Sequence, residues 1–186
     1  FTADFTPLPD YNREVPAHPF RPYGATPGHA LEWARLTLAT ARTLGGPRWQ
    51  WALPAARSLV HGAIADGWAP DGPDGFVYTT DWDGSPVVHA RMHWVLTEAL
   101  GAAWALHHED PDPEWPALFE TWWAYARRHL LDQREGSWYA ELDADNRPAA
   151  GTWVGKPDTY HSVQAMLLPR LPLTPSFASA LVGATA

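Results

Sequence analysis

Apolar residues recur along most of this chain with the spacing of one face of an α-helix. Six segments have this pattern, at about 28–44, 53–66, 88–107, 114–131, 159 to just before Pro169 or Pro172, and 175–183. An apolar residue every three or four positions predicts an amphipathic helix in each segment. Gly45-Gly46 and Gly67 end the first two helices, and Thr174-Pro175 begins the sixth.

Shorter stretches between the helices have the alternating pattern of β-strands. Phe76-Val77-Tyr78 precedes a turn at Asp83-Gly84. Ser137–Leu142 is followed by a turn at 143–146 and by a return strand near 150–154, which predicts a short β-hairpin loop. Residues 1–26 are rich in proline and aromatic residues and lack periodicity, so we expect an irregular arm there.

The helices are predicted to pair as three hairpins, at about 28–67, 88–131 and 159–183, within a single domain spanning 1–186. The first helix of each hairpin carries a polar segment with a histidine, and these histidines recur at intervals of 64 and 68 residues. Repeated helical hairpins bury their apolar faces by stacking on their neighbours. The pattern therefore predicts an all-α arc of three hairpins, half of an α/α toroid whose full ring needs about twice this length.

Composition narrows the classes of partner. The net charge is −8, which argues against nucleic acid and against anionic membrane surfaces. No apolar run reaches the ~18 residues of a membrane span, and the first residues lack the pattern of a signal peptide. The chain has no cysteine, which excludes disulfides and thiolate catalysis. The cytoplasm is the default expectation for its location.

Three polar pairs at helical spacing are the candidates for chemistry. They are His29 with Glu32, Trp94 with Glu98, and His161 with Gln164. Residues three or four apart share a helix face, so Trp33 is expected beside His29, whereas His93 points about 100° from Trp94 and is the weaker candidate.

Each pair also has a purely structural interpretation. Glu32 is favourable near the positive end of a helix dipole, Glu98 is compatible with a buried ion pair to an arginine, and His161 with a satisfied core histidine. Their repetition in three hairpins favours one shared central pocket. The chain also has 12 tryptophans, a residue type that often lines carbohydrate sites.

No sequence pattern requires a metal or a cofactor. HExxH, P-loop, GxGxxG and GxSxG motifs are absent. A metal site built from His29, Glu32 and His161 is chemically allowed, but nothing in their spacing demands it. We therefore expect neither a cofactor nor a metal.

Two longer motifs and a shorter one resemble the N-acylglucosamine 2-epimerase superfamily. The longer motifs are PFRPYGATPGHALEWARL at 19–36 and WVGKPDTYH at 153–161, and the shorter is WYAELD at 138–143. They occur in the order typical of the family. The sequence around His29 is most similar to the aldose–ketose isomerases of this superfamily, the mannose isomerase and sulfoquinovose isomerase type.

The resemblance implies an (α/α)6 barrel of which this chain supplies the C-terminal half. It implies that His29 and His161 are the catalytic acid/base pair and that Glu32, Trp94 and Glu98 line the pocket and bind substrate. Further sugar-binding residues would come from the missing N-terminal half of the barrel, which is therefore an expected partner alongside a monosaccharide. A homo-oligomer is also compatible with the resemblance.

The expected reaction is interconversion of an aldose and a ketose, with D-mannose and D-fructose favoured, through an enediol(ate). One alternative is a sugar 2-epimerase of the N-acylglucosamine or cellobiose type, and another is a sulfoquinovose isomerase. A more remote alternative is a glycan-binding or glycoside-cleaving toroid, in which Glu32 and Glu98 are the two carboxylates that cleavage requires.

Overall fold

The computed structural model describes residues 2–4, 8–156, 158–173 and 177–185, and the fold is mainly helical. Within these residues the α-helices are α1 (Pro27–Leu44), α2 (Ala52–Gly67), α3 (His93–Glu109), α4 (Glu114–Tyr125), α5 (Tyr160–Leu167) and α6 (Phe177–Thr185). Short 3₁₀ segments occupy Pro47–Trp49 and Leu168–Arg170, and a π-helical turn at Ala126–Leu130 extends α4. No helix in the described part of the chain is long and apolar enough to cross a membrane.

The helices form two layers. The first helix α1 packs against α2 and α3, and α3 packs in turn against α4 and α5. The inner layer therefore consists of α1, α3 and α5, and the outer layer contains α2 and α4. Because α3 has neighbours on several sides, it is buried almost all round, and its Val95, Leu100 and Leu106 have essentially no exposed surface.

The first two predicted hairpins form as α1–α2 and α3–α4, whereas the third differs from the prediction. Helix α5 packs on α3 and has few contacts with α6 among the described residues. The first residues of α6, Phe177 and Ala178, line a groove together with Leu36 and Leu44 of α1. The predicted start of α6 at Thr174-Pro175 lies outside the described residues.

The strands pair differently from the prediction. The strands β1 (Thr79–Thr80) and β2 (Pro86–Val88) form one antiparallel pair, and β3 (Arg91–Met92) pairs with β4 (Glu141–Leu142). Helix α3 consequently begins at His93 rather than at 88, because β2 and β3 occupy the residues before it. The return strand predicted near 150–154 does not form, since β4 takes its partner from before α3 and makes only an isolated bridge to Pro148.

The arm before α1 consists of turns and docks on the β1–β2 hairpin. Ala25 forms a backbone bridge to Thr80. The buried Tyr23 accepts a hydrogen bond from Arg13 at 2.9 Å and donates one to Asp81 at 2.8 Å. These contacts fix the direction in which the chain enters α1 and thereby the place of the residues that begin it.

Candidate active site

A cavity of about 530 Å³ opens where the inner helices begin. Its walls come from the first turns of α1, α3 and α5, from Ala140 before β4, and from the loop before α5. The lining residues are His29, Glu32, His93, Trp94, Ala140, Trp153, Asp158, Tyr160 and His161. The three polar segments that recur along the sequence therefore meet at one pocket, as the helical spacing predicts.

Two imidazoles contact the indole of Trp94 in this cavity. The ring of His29 lies 5.2 Å from that of Trp94, and the ring of His161 lies 5.8 Å from it, both between centroids. Gly28 permits this approach, because a Cβ atom there would lie 2.5 Å from Cζ3 of Trp94. Histidine is the side chain whose ordinary pKa best suits proton transfer near neutral pH, so the cavity holds two candidate acid/base groups.

The wall formed by α1 differs from the prediction in two details. His29 is exposed into the cavity, although its helix face was expected to be buried. Glu32 is half-buried and lines the cavity one turn further along. Trp33 does not share this wall, and 63% of its surface is exposed, because it lies beyond the edge of the face that α1 presents to α3.

Glu98 lies behind His161 rather than in the cavity wall. It is completely buried, and its Oε2 accepts a hydrogen bond from Nε of Arg35 at 2.8 Å. Nη2 of Arg35 also lies 2.8 Å from Oε2 but without hydrogen-bond geometry. Oε1 of Glu98 accepts a hydrogen bond from Gln164 at 3.1 Å and lies 3.7 Å from Nε2 of His161.

Glu98 therefore forms the buried ion pair with an arginine that the sequence analysis gave as the alternative to a role in substrate binding. Burial raises the pKa of Glu98, and the charge of Arg35 opposes this rise only in part. A direct contact of Glu98 with substrate stays a prediction, and so do the roles of His29, His161, Glu32 and Trp94.

A second carboxylate, Asp158, joins two histidines. Its Oδ2 lies 2.5 Å from Nδ1 of His161 and 3.0 Å from Nε2 of His93, while Oδ1 accepts the backbone N–H of His161 at 3.2 Å. His93 is buried, and its Nδ1 lies 3.0 Å from the carbonyl oxygen of Ala140.

The electrostatics of this cluster follow from its hydrogen bonds. Partial burial acts to raise the pKa of Asp158, but the ring and backbone hydrogen bonds from His161 outweigh it, so the pKa lies below its usual range. Burial lowers the pKa of His93, and the Ala140 carbonyl and Asp158 oppose that decrease.

The loop that carries Asp158 is fastened at several points. Glu141 accepts the backbone N–H of Thr152 at 2.7 Å, which holds the chain next to Trp153. The ring of Trp153 contacts Phe20 of the arm edge-on at 5.3 Å. Further along, Nζ of Lys156 donates to Asp132 at 2.6 Å and to the carbonyl of Gly136 at 2.7 Å.

Helical spacing missed several residues of the site, among them Asp158 and Trp153, and ranked one too low. Asp158 precedes α5, and Trp153 lies in a loop, so neither carries a periodic signal. His93 was the weaker candidate, yet it lines the cavity because it begins α3 directly after β3, where its ring faces Asp158. The motif WVGKPDTYH contains Asp158 and Trp153 and was the signal available for them.

The described residues contain no group of three or more histidine, cysteine, aspartate or glutamate side chains arranged to hold a metal ion. The cavity nevertheless contains several polar groups close together. The imidazoles of His29 and His161 line it, and Asp158 binds both His161 and a third imidazole, that of His93. Such a set can take a proton from carbon and pass protons between oxygens.

A family comparison identifies the protein class. The model of N-acylglucosamine 2-epimerase (GlcNAc 2-epimerase) matches residues 1–165. The chain belongs to the N-acylglucosamine 2-epimerase family. This confirms the resemblance carried by the motifs at 19–36, 138–143 and 153–161, all of which lie inside the matched range.

Within this family the chain is similar to curated D-mannose isomerases. It is 48% identical over 182 residues to that of Thermobifida fusca, covering 97% of this chain and 44% of the relative. It is 47% identical over 186 residues to that of Pseudomonas cannabina pv. alisalensis, covering 98% and 45%. The chain thus spans less than half the length of these family members.

Solved structures agree on the fold. A crystal structure of D-mannose isomerase matches 91% of this chain and 43% of its own, with a TM-score of 0.83 and 30% identity. A sugar epimerase from a ruminal bacterium matches 81% and 40%, with a TM-score of 0.63 and 22% identity. The fold is therefore about half of an (α/α)6 barrel, as the hairpin pattern and the resemblance predicted.

Proposed function

We propose that this chain is the C-terminal half of an aldose–ketose isomerase barrel that interconverts D-mannose and D-fructose. The observation that carries the proposal is the pair of imidazoles, His29 and His161, that both contact Trp94 in one cavity. The similarity to D-mannose isomerases at 47–48% identity supports this choice of sugar.

The proposed chemistry needs one group to move a proton between carbons and another to serve the oxygens. In the open-chain aldose, His161 takes the proton from C2, and the electrons of that bond form the C1=C2 bond of an enediolate. His29, with Glu32 beside it, gives a proton to O1 and accepts the one from O2. The C2 carbonyl then forms as His161 returns its proton to C1, so no atom is gained or lost.

The aromatic lining of the cavity, with the indole of Trp94 at its centre, is suited to binding a sugar. Trp94 is half-buried, and Trp153 and the exposed ring of Tyr160 complete an aromatic rim around the imidazoles. Aromatic faces bind the C–H surfaces of a sugar without competing for its hydroxyl groups. Because the enediolate is planar from C1 to C2, we propose that it lies along Trp94 between the two histidines.

The remaining wall of the cavity is proposed to come from the other half of the barrel. Exposed apolar side chains on the inner helices, Trp33 and Leu36 on α1 and Val163 and Met166 on α5, are in keeping with a face that packs on further helices. We therefore propose that turnover requires a complete barrel and that the polar contacts to the far end of the sugar come from that half.

The experiment is turnover of D-mannose by the complete barrel in D₂O. We expect D-fructose with deuterium incorporated at C1, because the enediolate is reprotonated by a base in exchange with solvent. His29→Ala and His161→Ala should each lower kcat by about 10²–10⁴-fold, the usual contribution of a general acid or base. His61→Gln, on the outer layer, is the matched control and should keep wild-type turnover.

A wild-type rate in either alanine variant would overturn the assignment of roles, and absence of fructose would overturn the reaction. Glucose without fructose would instead indicate 2-epimerisation. That second candidate is favoured by one observation, the placement of the two imidazoles on separate helices, which allows proton removal and return on opposite faces of the same carbon.

A further inference from the structure

Two imidazoles share a single oxygen of Asp158. Oδ2 lies 2.5 Å from Nδ1 of His161 and 3.0 Å from Nε2 of His93. Neither His93 nor Asp158 has a role in the chemistry described above, although both line the cavity. His93 is buried and is bound to Asp158, the carboxylate that also binds the proposed base His161, so we expect His93 to have a role in the site.

Counting protons in this cluster limits its states. The carbonyl oxygen of Ala140 only accepts, so Nδ1 of His93 carries a hydrogen. His161 donates from Nδ1 to Asp158, which leaves its Nε2 without a hydrogen when the ring is neutral. If His93 were also neutral, its bare Nε2 would face an ionised Oδ2 at 3.0 Å, with a lone pair against a lone pair.

One additional proton removes this conflict. Placed between Nε2 of His93 and Oδ2 of Asp158, it makes every contact of the cluster a hydrogen bond. Burial alone favours a neutral His93, but the pair with its shared proton has no net charge, so the burial penalty on a lone cation does not apply in full. The opposite tautomer of His93 is worse, because it points a lone pair at the Ala140 carbonyl.

We propose that His93 and Asp158 are positioning residues that hold a shared proton, fix the tautomer of His161 and limit its basicity. This inference rests on the proposed role of His161 as the base. An ionised Asp158 alone would make His161 more basic by stabilising its imidazolium form, so that less of the ring would be free to accept a proton near neutral pH. With its charge balanced by His93, Asp158 still orients the ring but stabilises the imidazolium less.

Other titratable or charged groups lie near His161 on each neighbouring element, and none of them is changed in the comparison below. They are Glu98 on α3 with its partner Arg35 on α1, His29 and Glu32 on α1, and Tyr160 beside it on α5.

The direct test is NMR of the complete wild-type barrel labelled with ¹⁵N in histidine and ¹³C in aspartate, near pH 7. We expect His161 with a protonated Nδ1 and a bare Nε2. For the shared proton we expect both nitrogens of His93 protonated beside an ionised Asp158, since the hydrogen bonds from His161 lower the pKa of that carboxyl. A His93 with one bare nitrogen beside an ionised Asp158 would overturn the inference. This readout does not need turnover, so it remains decisive if the proposed sugar reaction fails.

The kinetic test separates the two positioning residues. In Asp158→Asn the amide donates towards Nδ1 of His161 and favours the wrong tautomer, so kcat should fall by about 10²-fold with little change in KM. Asp145→Asn, an exposed position on the same loop, is the matched control and should keep wild-type kcat. Retention of more than half of the wild-type kcat in Asp158→Asn would contradict the tautomer argument.

In His93→Gln the side-chain amide still donates to Asp158 but brings no charge. The carboxylate is then unbalanced, and the acidic limb of the kcat/KM profile should move to higher pH while the plateau rate stays within about threefold. A purely structural role of His93 would lower the melting temperature and leave the limb in place. An unmoved limb, or one moved to lower pH, would therefore contradict the proposal.

Discussion

Two buried carboxylates, one within the third helix and one directly after it, each bind an arginine but have different surroundings. Glu98 lies inside α3, and Asp110 follows its last residue. Each is almost fully buried and bound by one arginine, Arg35 for Glu98 and Arg57 for Asp110. Only Glu98 has a third polar neighbour that reaches the cavity, His161 at 3.7 Å.

The two carboxylates also differ in the direction in which their surroundings shift the pKa. Oδ2 of Asp110 accepts hydrogen bonds from Arg57 at 2.7 Å and from Trp115 at 2.8 Å. Burial acts to raise the pKa of Asp110, but these hydrogen bonds outweigh it and the pKa is lowered. The pKa of Glu98 is raised instead, because burial outweighs Arg35. A buried ion pair is thus a structural element at Asp110, whereas at Glu98 it holds a carboxylate whose ionised form is costly beside a proposed base.

Removing the charge of Glu98 is expected to have the largest effect on turnover. Glu98→Gln leaves the guanidinium of Arg35 buried without a counterion but also removes a carboxylate whose ionised form is costly, so the unfolding free energy should fall by only about 1 kcal/mol. It also removes a negative charge near His161, so kcat/KM should fall by about tenfold, less than for loss of the base itself. Denaturant unfolding measures the change in stability, and turnover by the complete barrel measures the change in kcat/KM. Unchanged turnover would show that Glu98 has a structural role only.

Displacing Arg35 without touching Glu98 is expected to have the next largest effect. A Cβ added at Gly101 would lie 2.7 Å from Cδ of Arg35, so Gly101→Ala must shift that side chain. We expect a loss of about 1–3 kcal/mol in unfolding free energy from overpacking, together with reduced turnover. A variant that is destabilised but fully active would show that the position of Arg35 matters to the fold alone.

The equivalent change at Asp110 should affect stability only. Asp110→Asn should cost about 1–2 kcal/mol, because Arg57 is half-exposed and water replaces the lost charge partner. The lowered pKa means that Asp110 adds stability above the pKa of an unfolded aspartate and that this is lost as the pH falls through its folded pKa. Unfolding at about pH 7 and pH 3 should therefore show wild type and variant converging in acid. Loss of turnover in this variant would break the contrast with Glu98.

Glu98 should have the opposite sign of pH dependence. Its raised pKa means that its ionised form is costly in the folded state, so its contribution to stability declines as the pH rises from the unfolded to the folded pKa. The difference between wild type and Glu98→Gln should accordingly shrink on going to higher pH within that window, as measured by the same unfolding experiments.

The smallest expected effect is a gain at a glycine remote from both carboxylates. Gly62 lies in α2, and a Cβ there would meet no atom within 4 Å. Gly62→Ala should raise the unfolding free energy by about 0.5–1 kcal/mol, since alanine loses less backbone entropy in a helix. It serves as the control for Gly101→Ala, and a loss of stability here would mean that the helix itself, not Arg35, explains the effect at Gly101.

Helical spacing predicted the inner-layer residues of the site because their positions depend on local geometry. His29 with Glu32 and His161 with Gln164 are each one turn apart, and α1 and α5 form close to where the apolar pattern begins. The family resemblance correctly indicated the barrel, since its motifs lie at the starts of these helices and in the loop before α5.

The missed features depend on contacts between residues distant in sequence. The pairing of β3 with β4 shortens α3 at its start, and nothing near residue 91 indicates a partner at 142. That shortening places His93 at the first turn, opposite Asp158, whose loop has no periodicity. Likewise, the sequence allowed an ion pair between Glu98 and an arginine but did not indicate which one, because Arg35 lies on a different helix, α1.

The Lys156 contacts have a consequence for how this protein can be varied or recombined. Lys156 and Asp158 are two residues apart, but one binds Asp132, which follows the outer helix α4, and the other binds the inner helices. Transplanting the inner helices alone into a related barrel would leave this loop without its outer attachment. The His161 side of the pocket therefore depends on the outer attachment at Asp132 as well as on the start of α3.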